Sequence, residues 1–159
     1  MTTPLQPLMT LLAQSERERD EALAALHRAA EAERHARAQA EQLVGYRAEY
    51  EQRWSERFRT DGRIELVHCY RGFMDRLGQA IDQQQRIAHQ ATVHVERARV
   101  QLTACELRVG SVRKLVARRR LESAQAAERQ EQKQTDEFAA RRAWSQAPGT
   151  LGSGVAQVA

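Results

Sequence analysis

Residues 67–116 read VHCYRGFMDRLGQAIDQQQRIAHQATVHVERARVQLTACELRVGSVRKLV, with apolar positions alternating at spacings of three and four. The series is Val67, Tyr70, Met74, Leu77, Ile81, Gln84, Ala88, Ala91, Val95, Ala98, Leu102, Cys105, Val109, Val112 and Val116; Gln84 alone is polar. Such spacing places one apolar stripe along an α-helix. Sustained over about seven heptads, it holds two long helices in register along a supercoil. A seam this narrow offers mechanical contact and no cavity for chemistry.

Upstream the same alternation continues in weaker form. A first helix is expected from about residue 5 to 58, with a seam of Leu8, Leu12, Ser15, Arg19, Ala22, Leu26, Ala29, Glu33, Ala36, Ala40, Leu43, Arg47, Tyr50, Trp54 and Arg57. The alanines let backbones approach closely, and the stretch from Ala29 to Ala40 should be the softest. Pro4, Pro7 and Pro148 all lie near the ends, so only Thr60-Asp61-Gly62 interrupts helix. A turn over about 59–63 and a second helix over about 64–144 follow. Residues 146–159 hold one proline, three glycines and no charge, and are expected to form a flexible tail.

Doubling the chain back about Gly62 sets residue i against residue 124 − i. Leu8 then meets Val116, Leu26 meets Ala98, Leu43 meets Ile81 and Tyr50 meets Met74. The expected fold is all-α, a long two-helix antiparallel coiled-coil hairpin over 1–145. Its paired rod is roughly 75 Å long at about 1.5 Å per residue. Helix two outruns helix one from Ala117 onward. An isolated polar helix is marginal in water, so this overhang is expected to dock on something. Six of the eight aromatics, Tyr46, Tyr50, Trp54, Phe58, Tyr70 and Phe73, gather at the turn end.

Composition agrees with a rod. At 42% apolar and 29% charged, the chain is too polar for a broad core but sufficient for a seam. No run of about 18 apolar residues spans a membrane, and no signal peptide is expected, which points to the cytoplasm. Two distant cysteines suit a reducing compartment: Cys105 reads as a small core residue and Cys69 lies off the seam. His89 and His94 are five apart, on different helix faces, so no metal site is expected. No catalytic motif and no cofactor fingerprint occurs, so no enzyme is expected.

Tyr50, Trp54 and Tyr70 lie on the seam and read as packing. Tyr46 and Phe73 lie off it, and with Leu43 and Leu77 they form an expected exposed apolar patch, a binding site. A net charge of +4, carried mainly by arginine, admits acidic protein, nucleic acid or anionic lipid as partner. The run Arg108, Arg113, Lys114, Arg118, Arg119, Arg120 contains no acid, and reads either as a solvated face or as an acid-binding one. No aromatics interleave with it to stack bases, so nucleic acid is not expected.

The stretch Leu43-Val44-Gly45-Tyr46-Arg47-Ala48-Glu49-Tyr50, then Tyr70-Arg71-Gly72-Phe73 with Leu77, Ala80 and Ile81, resembles the flagellar export protein family FliJ. So do Glu131-Gln132-Lys133, Asp136-Glu137-Phe138-Ala139 and Arg141. The likeness covers about residues 8–145. It implies a stalk of the flagellar type III export apparatus, peripheral at the cytoplasmic face of the cell membrane. Implied partners are the hexameric export ATPase, the cytoplasmic domain of the export-gate membrane protein, and chaperones of late flagellar subunits. The gate-binding surface carried over by the resemblance is Gln39, Leu43, Tyr46, Tyr50, Phe73, Leu77, Ala80 and Gln84. The best-known family members carry His where this chain has Gln84, so a proton-linked role there does not carry over. The ring-inserted end is Lys133, Asp136, Glu137, Phe138 and Arg141, to which Arg118, Arg119 and Arg120 are added. Three alternatives stay open at this point. They are the equivalent stalk of a virulence-type secretion system, a basic coil on membrane or nucleic acid, and a self-associating structural coil.

Overall fold

In a computed structural model, described over residues 5–146, the chain forms two helices. Helix α1 spans Leu5–Thr60 and α2 spans Ile64–Gln146. Of the expected tail, only Gln146 is described, as the last residue of α2; residues 147–159 lie outside the described residues. At about 1.5 Å per residue, α1 is roughly 84 Å long and α2 roughly 125 Å. Pro7 falls in the first turn of α1, where its missing N–H would have had no intrahelical partner.

Three residues reverse the chain. The Arg57 carbonyl accepts from the Asp61 amide at 2.9 Å and from Thr60 Oγ1 at 2.9 Å, closing the end of α1. Arg63 pairs with Asp61 at 3.2 Å, and the Val67 amide donates to the Arg63 carbonyl at 3.3 Å, opening α2. Arg57 and Arg59 complement the negative end of the α1 dipole, and Glu65 the positive end of α2. No described residue has a positive φ, and a Cβ on Gly62 would meet nothing. The reversal therefore needs no left-handed glycine.

The two helices pack side by side as an antiparallel hairpin. Buried on α1 are Ser15, Ala22, Ala36 and Ala40; on α2, Ile81, Val95, Cys105, Val109, Val112 and Val116. Each buried valine contributes about 1.5–3 kcal/mol relative to exposure. All fifteen α2 seam positions between Val67 and Val116 are buried or half-buried. On α1 the exceptions are Arg47 and Arg57, which are exposed. Ser15 is tolerated in the seam because its hydroxyl donates to the Leu11 carbonyl at 2.8 Å. Trp54 packs at a tilt against Tyr70, centroids 5.4 Å apart, the partner that the fold-back about Gly62 assigns to it.

Candidate partner-binding surfaces

Three regions of the rod offer contact to another molecule: the aromatic end, the overhang and the two edges where the helices meet. At the aromatic end, an antiparallel pair places the residue just before each seam position a, the first of two seam residues three apart, on one common edge. Gln39 and Tyr46 stand there on α1, and Phe73 and Ala80 on α2. The seam positions beside them are Leu43, Tyr50, Leu77 and Gln84. The eight residues thus share one edge of the hairpin. Tyr50 and Phe73 meet across it with ring centroids 4.9 Å apart. Gln84 Nε2 donates to Gln39 Oε1 at 3.1 Å and to the Ala36 carbonyl at 3.3 Å. Gln42 Nε2 donates to Tyr46 Oη at 3.3 Å.

The expected exposed patch of Leu43, Tyr46, Phe73 and Leu77 needs one correction. Of the four, Tyr46 alone is exposed, at 45%; Leu43, Phe73 and Leu77 are half-buried. Phe73 lies off the seam by spacing, but its ring folds onto Tyr50 at a tilt of 53°, which turns the positive edge of one ring toward the negative face of the other while both shed water. Trp54, Phe58 and Tyr70 form a second ring cluster nearer the turn, with centroids 5.4–5.5 Å apart.

The overhang is bare. Beyond Glu122 every described residue to Gln146 is exposed, a stretch of about 36 Å at about 1.5 Å per residue. Phe138 is 67% exposed and Trp144 85% exposed, with no described residue covering them. Lys133, Asp136, Glu137 and Arg141 share this segment; its described ion pair, Glu137 with Arg141, spans 4.0 Å.

At the root of the overhang four of the six cations of the basic run pair with glutamates. Arg108 pairs with Glu18 at 3.1 Å and Arg113 with Glu16 at 2.7 Å, both from α1. Arg118 and Arg119 pair with Glu122 at 3.1 and 2.7 Å. Arg120 donates to Met9 Sδ at 3.6 Å. The acids that answer this run lie about ninety residues away in sequence, or just past its end. Three glutamates offset half of the six positive charges of the run, while Lys114 has no ion pair among the described residues and Arg120 meets a thioether; this partial offset reduces the charge open to a nucleic-acid or lipid surface.

Sequence spacing did not single out a trough between the helices at mid-rod, lined by Ala25, Ala29, Ala32, Ile87, Ala91 and Ala98. Its one advance signal is Ile87, an apolar residue off the seam on the same edge as Phe73 and Ala80.

Among the described residues no cluster of three His, Cys, Asp or Glu is placed to hold a metal, and no helix is long and apolar enough to cross a membrane. Cys105 is buried in the seam and Cys69 is exposed.

No curated protein and no solved structure matches the chain. The family model described as flagellar FliJ protein matches residues 4–148, nearly the whole length. A hairpin of two long helices, its aromatic motifs at the turn and its distal motif on an overhang, accords with that match, and the chain belongs to the FliJ family of flagellar export proteins.

Proposed function

We propose that this protein is the non-enzymatic coupling stalk of a flagellar type III export apparatus. It works in the cytoplasm, peripheral to the membrane. The overhang, through Lys133, Asp136, Glu137, Phe138 and Arg141 with Arg118, Arg119 and Arg120 at its root, enters the export ATPase ring and promotes its assembly and activity. The aromatic edge, through Gln39, Leu43, Tyr46, Tyr50, Phe73, Leu77, Ala80 and Gln84, contacts the cytoplasmic domain of the export gate. Chaperones of late flagellar subunits are further partners.

One observation carries this reading: a single helix of 83 residues joins a bare, exposed spike at one end to an apolar edge at the other. A spike with two exposed large aromatics is a poor free end in water and a good insert for a ring. The edge at the far end presents Tyr46 beside half-buried aromatic and aliphatic groups, the composition of an interface anchor. A rigid helix between the two transmits displacement from one to the other, which is what coupling requires.

Co-purification with the flagellar ATPase and the soluble part of the gate tests both ends. Tyr46→Ala and Phe73→Ala should lower gate binding and motility while helicity is kept. Truncation after Arg120 should abolish ATPase stimulation and leave gate binding in place. Full motility in the first pair, or unchanged stimulation in the second, removes the corresponding end from the mechanism.

A further inference from the structure

The two edges of the rod are finished differently. On one edge polar groups lace the helices together. Glu33 accepts from Thr92 Oγ1 at 2.8 Å and pairs with Arg37 at 2.8 Å; Arg37 also donates to Thr92 at 3.3 Å. Arg113 with Glu16, and Arg120 with Met9, continue that edge toward the overhang. Among the described residues the opposite edge is tied at intervals, by Gln39 with Gln84 near the aromatic end and by Glu18 with Arg108 beyond mid-rod. Between those ties lies the mid-rod trough, about 750 Å³ in volume. Ile87, 43% exposed, stands in it above alanines too short to fill the gap between the helices.

Charge identifies the occupant. Arg28 on α1 and Arg97 on α2 line the trough from opposite sides, and no lining residue carries a carboxylate. Elsewhere on the rod Arg108, Arg113, Arg118 and Arg119 all hold glutamates, whereas neither Arg28 nor Arg97 has an ion pair among the described residues. The α2 side runs from Ile87 to Gln101, about 21 Å at 1.5 Å per residue, which a helix of about two heptads covers. Alanine walls permit close approach of a third backbone, and the exposed isoleucine supplies a knob for its holes.

We propose that this trough docks an amphipathic helix of a partner protein, with an aliphatic face flanked by glutamate or aspartate. The incoming aliphatic face covers Ile87 and the alanines, and its acidic flanks pair with Arg28 and Arg97. The site is separate from both ends assigned to the stalk and does not depend on those assignments.

A fluorescent synthetic helix of roughly three heptads, with leucine at a and d and glutamate at e and g, is a direct probe. Titrated against the full chain and followed by anisotropy, it should bind saturably. A matched probe with lysine in place of glutamate should bind at least tenfold more weakly. Ala32→Glu, at an exposed trough position, and the double variant Arg28→Gln with Arg97→Gln should each raise Kd at least tenfold with the melting curve unchanged. Tyr46→Ala should leave Kd within twofold. Equal affinity for the two probes overturns the proposal, as does indifference to the trough variants. Sedimentation supplies the other adverse outcome: a dimer of the chain that Ala32→Glu dissolves would make a second copy the occupant.

Discussion

Residues 64–122 and 123–146 of α2 are one continuous helix, yet they are helical for different reasons. The first segment lies against α1; the second lies against no other described residue. The first carries Val95, Val109, Val112 and Val116, residues that helices accept less readily because branching at Cβ restricts the side chain. It also holds Gly72, Gly78 and Gly110, each costing about 0.5–1 kcal/mol in a helix interior. Burial of the seam offsets both. The overhang contains no glycine and no valine. It is built mainly from alanine, glutamine, glutamate and arginine, among the best helix formers. Where packing is absent, propensity and continuation from an already nucleated helix do the holding. The paired segment is therefore a folding unit, and the overhang an appendage whose stability is local.

The largest effect that separates the two segments comes from a carboxylate on the seam. Val112→Asp buries a charge with no partner and should lower hairpin stability on the order of 3 kcal/mol or more. Ala126 continues the same spacing beyond the paired rod, where it is exposed. Ala126→Asp should change stability by no more than about 0.5 kcal/mol. Circular-dichroism melts of the two variants decide the matter, and similar losses in both would mean that the overhang is packed. Hydrogen exchange reads the same contrast without substitution. Amides from Val95 to Val112 should open only with global unfolding, and those from about 125 to 144 should be protected less, on the order of a hundredfold or more. Equal protection would contradict the appendage reading.

A smaller effect tests whether seam burial carries the glycines. Gly110 is half-buried, but a Cβ there would meet nothing. Gly110→Ala should raise the urea midpoint by the equivalent of about 0.5–1 kcal/mol, since it recovers helix propensity without a clash. A loss of stability would reveal a close approach at this position.

The contrast between segments explains what the sequence disclosed. Apolar spacing depends on the local chain alone, so the α2 seam was legible down to its one polar member, Gln84. The α1 seam was less so: Glu33 and Arg19 sit on it half-buried, and Glu33 is accommodated because Thr92 and Arg37 reach it. The contact of Trp54 with Tyr70 follows from the fold-back rule, because seven-residue repeats on both arms restrict the allowed registers. Features that need both arms at once were hidden. The basic run looked open because Glu16 and Glu18 face it only after the chain doubles back. Phe73 looked exposed until Tyr50 stood opposite it, and the mid-rod trough exists only where alanines on both helices coincide. At the aromatic end, family motifs named the residues while the shared edge emerged from the geometry.

The smallest expected effect belongs to the ion pairs, and it discriminates by location more than by size. Arg113 and Glu16 tie α2 to α1 at 2.7 Å, with both side chains at least a third exposed. A double-mutant cycle at this pair, read from urea unfolding, should give a coupling of about 0.2–1 kcal/mol at low salt. The coupling should fall toward zero near 1 M salt, where screening acts over about 3 Å. Glu137 and Arg141 are an i, i+4 pair on the overhang, 4.0 Å apart and largely exposed. Their cycle should show no coupling in hairpin unfolding at any salt, because the unit that unfolds cooperatively does not include them. A measurable coupling there would move the boundary of the folding unit past residue 137. The spike would then be held by this chain itself, and its bareness would no longer argue for a partner.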